Sequence, residues 1–181
     1  RTLKFALFAN EEAPHFHAET MGSTHAADAA RLRGEHFAGV VVLESLGVYF
    51  DGPGTQRYPA PFDHFYPDRG DFVAFVGNLA SRPLVMRTLA TFRAAVPMPS
   101  EGASPPGFLP GIGWSDQWSY WRAGYPAIMV TDTAPFRNPA YHTPDDRPET
   151  LDYTRLGWVE QGLEAVVDDL VGGEGETQTN E

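Results

Sequence analysis

Four side chains, far apart in this sequence, have the chemistry of a hydrolytic metal site. Asn10-Glu11-Glu12 sets two carboxylates side by side, Glu44 directly follows Val40-Val41-Val42-Leu43, and His142 stands in Tyr141-His142-Thr143-Pro144-Asp145-Asp146. Zinc accepts carboxylate oxygen and imidazole nitrogen, brings the pKa of bound water towards about 7 and polarises a carbonyl; a second ion about 3.5–4 Å away can share that work. One carboxylate must stay off the metal as general base. Glu11 and Glu12 can divide those tasks, because neighbours on an extended backbone point in different directions. Taken singly, each feature also has a plain reading: a solvated acidic turn for Glu11-Glu12, a structural ion pair for Glu44, a surface residue for His142. The carboxylates three and four positions after His142 are placed to fix its tautomer. His15 and His17 share one side of an extended segment and could ligate metal, but read mainly as loop or helix-entry residues; His25, His36 and His64 give no pattern.

The elements needed to bring these groups together are visible in the hydrophobic pattern. Leu3 to Ala9 and Phe37 to Leu43 read as buried strands, and Glu19 to Arg33 between them as a helix stopped by Gly34, which makes a βαβ unit. Phe72 to Val76 reads as a strand and Arg82 to Val96 as a helix with Pro83 in its first turn. Asp116 to Ala123 reads as a short helix, Ala127 to Val130 as a strand, and Leu151 to Leu170 as an amphipathic helix. Gly52 to Arg69, Pro97 to Pro110 and Asp132 to Pro148 read as loops. Apolar strands alternating with helices predict an α/β/α sandwich around a mostly parallel or mixed sheet, with ligands at the carboxyl ends of the strands. Residues 1–171 form one domain on this reading, followed by a polar, disordered tail over 172–181.

The chain has 181 residues, with 13 Lys plus Arg against 24 Asp plus Glu, a net charge of −11 that disfavours nucleic acid as a partner. Forty-two per cent hydrophobic and 13% aromatic content exclude global disorder. With no Cys, disulfides, thiolate clusters and a thiol nucleophile are excluded, so any metal must sit on His and carboxylates. No apolar run approaches the roughly 20 residues of a membrane span, and the expectation is a soluble chain. No signal peptide is visible and the first residue is Arg, so the compartment stays open, an exported or periplasmic setting included.

In combination and in this order, Phe8-Ala9-Asn10-Glu11-Glu12, Leu43-Glu44-Ser45-Leu46-Gly47, Trp114-Ser115-Asp116 and Tyr141-His142-Thr143-Pro144-Asp145-Asp146 resemble the M28 zinc peptidases, which include the dizinc aminopeptidases. The resemblance covers most of Leu3 to Leu170. It implies peptide substrates, two zinc ions in the complete site, Glu11 as general base, Glu12 and His142 as ligands of one zinc, and Glu44 as ligand of the other, where many relatives have Asp. It further implies Tyr141 hydrogen-bonding the tetrahedral intermediate, with Asp146 behind His142 and Asp116 in the Ser-Asp motif as supporting acids. Gln117 stands where relatives often have His. Relatives also carry, upstream of the Glu-Glu pair, a His-x-Asp ligand and a bridging Asp that this chain lacks. The chain is therefore expected to be the C-terminal part of such a catalytic domain, without its N-terminal strands, to bind metal weakly alone and to self-associate through exposed apolar surface.

Two other readings compete. Ser45, Asp116 and His142 run in α/β-hydrolase order, but Leu43 stands where a nucleophile elbow needs Gly. The chain could also be a non-enzymatic binding domain on a degenerate peptidase fold.

Overall fold

A computed structural model of the chain describes residues 1–172; the tail expected beyond that point lies outside the described residues. The elements are helix α1 (Gly22–Leu32), strand β1 (Val40–Glu44), β2 (Val73–Gly77), α2 (Arg82–Ala95), β3 (Ser100–Ala103), α3 (Gln117–Arg122), β4 (Ala127–Thr131) and α4 (Tyr153–Gly172). The strands form one sheet in the order β1-β4-β2-β3. β1 and β4 are parallel, β2 runs antiparallel to β4, and β3 is parallel to β2. This is a mixed α/β fold, as the strand–helix alternation requires.

Alternation along the strands divides the core between the two faces. Val73 and Phe75 of β2, with Ile128 and Val130 of β4, pack on α2 and α4 through Leu89, Phe92, Val159 and Val166. Phe72, Ala74, Val76 and Met129 face the other way, towards Ile112 and the loop aromatics. On that same side α3 covers β4 and β1 and packs on α1, with Ala27, Tyr120 and Ala123 buried around Ala127. Gly162 on α4 allows the two helices of the first face to approach closely, since an added Cβ would stand 2.3 Å from the Phe92 ring. Gly34 ends α1 in the left-handed conformation (φ 66°), as its position predicts.

Two segments depart from the sequence pattern. Leu3 to Ala9 is apolar enough for a buried strand but pairs with no strand in the sheet, and β1 is left as an edge. A ladder needs a row of backbone donors and acceptors opposite it, and among the described residues no strand supplies one to this segment. Its side chains show the result: Phe5 and Leu7 are 90% and 102% exposed, while Phe8 packs near Tyr120 with ring centroids 6.3 Å apart. Conversely, the loop expected over Pro97 to Pro110 contains β3, whose Ser-Glu-Gly-Ala sequence has no strand preference of its own. Pairing with β2 makes it a strand. Helix α1 also begins later than the expected Glu19, because the segment before Met21 is taken up in tight turns such as His15 N–H to Glu12 O at 2.9 Å.

Candidate functional site

Strand directions determine which residues meet. Because β2 and β3 run opposite to β1 and β4, the carboxyl ends of β1 and β4 and the amino ends of β2 and β3 lie on one sheet edge. Register is specific there: Glu44 is opposite Thr131, Thr131 opposite Ala74, and Ala74 opposite Glu101. One transverse row thus carries an acid at each end and two small residues between.

The acidic groups singled out in the sequence gather at the Glu44 end. Glu44 accepts hydrogen bonds from Ser45 Oγ at 2.7 Å and from Ser115 Oγ at 2.8 Å, so each carboxylate oxygen has a hydroxyl donor. Burial pushes the Glu11 carboxyl up to about 7, and the nearby charges of Glu44, Glu12 and Asp116 push the same way, against a hydrogen bond from Ser115. Such crowding of like charges is what a cation relieves. His142 Nε2 stands 3.1 Å from Glu12 Oε1, joining residues 130 positions apart. The Tyr141 hydroxyl is held up to about 12, chiefly by burial and then by Glu44, Glu12 and Glu11, so it keeps its proton and can donate. Asp116, raised by burial, lies behind this group with a hydrogen bond from Ser23.

Backbone strain is concentrated here. Asn10, Ser45 and His142, each within or beside a site segment, adopt positive φ values of 61°, 45° and 58°. Non-glycine residues in this region cost of order 1–3 kcal/mol each and persist where the surroundings enforce them.

Other candidates go elsewhere. Asp146 accepts from Asn138 Nδ2 at 3.2 Å within its own loop, and the described contacts do not join it to His142. His15 meets Thr20, whereas His17 bonds Gly113 O at 2.8 Å and stacks on Trp118. They do not act as a pair. Ser45 is bonded to Glu44 rather than to an imidazole, which removes the contact a serine nucleophile would need.

Three further residues of this region carry no signal in the sequence that marks them as candidates. Ser115, quoted above only as part of a motif, donates its hydroxyl proton to Glu44 and stands close enough to Glu11 to lower that carboxyl's proton affinity. Asp132 is buried at the end of β4, where burial raises it to about 7 against the lowering effect of the Val48 and Ala134 N–H groups and Arg137; its Oδ2 accepts the Val48 N–H at 2.9 Å. Glu101 sits on β3, within the segment whose composition predicts a loop, and no motif marks it.

A cavity of about 110 Å³ opens beside the acidic group. Glu44, Tyr141 and Trp114 border one part of it; Tyr58, Phe62, Tyr66 and Glu101 border another. Most of its surface is apolar, as is usual for small-ligand sites.

Carboxylate and imidazole suit zinc chemically, but the number of donors is short. Among the described residues no three His, Asp or Glu side chains converge as metal ligands, and Glu12 with His142 is the pair in contact.

The acidic cluster lies at one edge of the mixed sheet of this α/β fold, and comparison with known proteins gives the family of the chain. The family model Peptidase family M28 matches residues 1–167, and the chain belongs to that family. A curated relative, an uncharacterized protein YfbL of Escherichia coli (strain K12), is 38% identical over 163 residues, which are 89% of this chain and 49% of the relative. The chain spans about half the length of the curated relative it matches. Among solved structures, the fold resembles Legionella pneumophila LapA with a TM-score of 0.66 at 17% identity, over 92% of this chain and 39% of that one. A second structure, titled LapA aminopeptidase, gives a TM-score of 0.59 at 14% identity, over 85% and 37%. At these identities the likeness supports the fold alone. No described helix is long and apolar enough to cross a membrane.

Proposed function

We propose that the protein to which this chain belongs is a zinc-dependent aminopeptidase, with this chain supplying the general base, part of the ligand set and the substrate cavity. The observation that carries this reading is the convergence of Glu11, Glu12, Glu44, Tyr141 and His142 on one sheet edge, from segments spread over more than a hundred residues.

Glu12 and His142 would hold one zinc and Glu44 would contribute to a second. When bound, zinc supplies a Lewis acid that makes water acidic and polarises the scissile carbonyl. The remaining work falls to the chain. Glu11, partly buried beside the ligands, is placed to accept a proton from the attacking water and return it to the leaving amine. Tyr141, protonated, donates towards the developing oxyanion. Ser115 fixes the Glu44 carboxylate and lowers the proton affinity of Glu11.

The shortage of donors favours one other reading, a binding domain that keeps the fold without the reaction. Both are tested on the full-length gene product with a panel of aminoacyl p-nitroanilides and blocked peptides. Hydrolysis of free N-terminal residues that is abolished by a chelator and restored by zinc supports the aminopeptidase. Absence of turnover with zinc present supports the binding domain.

A further inference from the structure

The apolar cavity ends in a carboxylate that the proposed reaction does not use. Register puts Glu101 opposite Ala74 and Ala103 opposite Val76. Ala74 and Val76 belong to the cavity side of the sheet, so Glu101 shares that side and lines the cavity. Neighbouring strands are about 4.8 Å apart, which makes the three steps from Glu44 to Glu101 about 14 Å between Cα atoms. A side chain entering beside Glu44 and lying along this row would point at Glu101.

The groups around Glu101 answer its charge only in part. Tyr66 donates its hydroxyl to Gly102 O at 3.0 Å and Tyr58 donates to Pro67 O at 2.7 Å, so both hydroxyl protons are committed elsewhere. Arg93 is the neighbouring cation and favours the charged carboxylate, but its guanidinium is hydrogen-bonded to the hydroxyl and carbonyl of Ser100, whose side chain belongs to the opposite face of the strand, and it makes no ion pair with Glu101. Asp71 adds negative charge. The described residues form no ion pair to Glu101, although burial raises its carboxyl and so makes a cationic partner more valuable. At the other end of the row, Glu44 differs in having both oxygens occupied by serine hydroxyls.

We propose that Glu101 is the specificity-determining residue of this cavity and selects substrates whose residue at the cleaved bond carries a long cationic side chain, Lys or Arg. The assignment rests on the peptidase reading above for its substrate. Apolar walls formed by Tyr58, Phe62 and Tyr66 receive the methylene stem, the rings add attraction for the cation, and Glu101 pairs with the charged end.

The probes are L-lysinamide and L-norleucinamide, which share the stem and the α-amine and differ in the terminal charge. Isothermal titration of this chain should show lysinamide binding at least ten times more tightly, and E101Q should abolish the preference while leaving norleucinamide affinity unchanged. Equal affinities, a preference that survives E101Q, or no binding of either amide overturns the proposal. In the full-length protein, E101Q should lower kcat/KM for the lysyl p-nitroanilide at least tenfold and spare the leucyl substrate; equal effects on both would also overturn it. If no substrate is cleaved, the peptidase reading fails, and the amide titration still decides the role of Glu101. Because glutamine keeps the shape of the side chain, and norleucinamide binding reports an intact cavity, loss of folding would not be mistaken for loss of selectivity.

Discussion

His142 Nε2 lies 3.1 Å from Glu12 Oε1, and this contact ties the turn after the first apolar segment to the loop after β4. It is a two-donor arrangement, whereas a structural zinc takes four ligands and a catalytic one three plus water. The isolated chain should therefore bind zinc weakly, and His142→Ala should remove the remaining binding heat in a calorimetric titration. Two tightly held ions per chain would contradict this.

Glu11 stands among the charges of Glu44, Glu12 and Asp116 without being one of the proposed ligands. In the full-length protein Glu11→Gln should lower kcat by about 10²–10⁴-fold, the usual worth of general acid–base catalysis, with metal content by elemental analysis unchanged. Unaltered kcat would remove it from the role of base.

Ser115 holds Glu44 and lowers the affinity of Glu11 for its proton. Ser115→Ala should therefore move the acidic limb of the rate–pH profile upward. It should also weaken the site by about 1.5–3 kcal/mol, typical of a lost hydrogen bond to a charged group. A profile that stays in place would show that Ser115 does not act on Glu11.

Asp132 gives the fold a pH dependence of its own. Its carboxyl, ordinarily at 3.8, is raised to about 7 by burial, so the folded state holds the proton more firmly than the unfolded chain. The resulting stabilisation is complete below pH 3.8 and is lost as the pH rises through about 7. Asp132→Asn keeps an acceptor for the Val48 N–H and should flatten this part of the curve, read by urea denaturation from pH 4 to 8. A slope unchanged by the substitution would rule out Asp132 as its source.

Gly162 is enclosed by Phe92 and Val96 where α4 crosses α2. Alanine is favoured over glycine in helices by about 1 kcal/mol, but overpacking costs about 1–3 kcal/mol, so Gly162→Ala should be net destabilising. Thermal unfolding decides the sign.

Much of the framework was legible because period and composition agreed, as in Val73–Gly77, where five buried residues follow one another, and in the stripe of α4 that includes Val159 and Val166. Glu11, Glu12, Glu44 and His142 were legible as candidates because polar groups after apolar strands are anomalous. What was hidden depended on partners. Leu3 to Ala9 has the composition of a strand without a ladder to join, while Ser100 to Ala103 has a ladder without the composition. Glu101 could not be recognised from its neighbours in sequence, since its meaning comes from lying in register with Ala74, Thr131 and Glu44. Ser115 was similarly opaque, because a hydroxyl acquires its role only from the acids it touches.

The residues before α1 are attached to the rest of the molecule at scattered points, among them Gly22 N–H to Ala9 O, His17 to Gly113 O, and the Lys4–Glu35 ion pair. Glu11 and Glu12 ride on this strap, whereas Glu44 is anchored in a strand. A cation gripped by Glu12 and His142 would consequently work as a clasp, shutting a loop of more than a hundred residues much as a covalent cross-link does. Stripping it away should loosen the leading twenty residues first, so that hydrogen exchange quickens there while β2 and β4 stay protected.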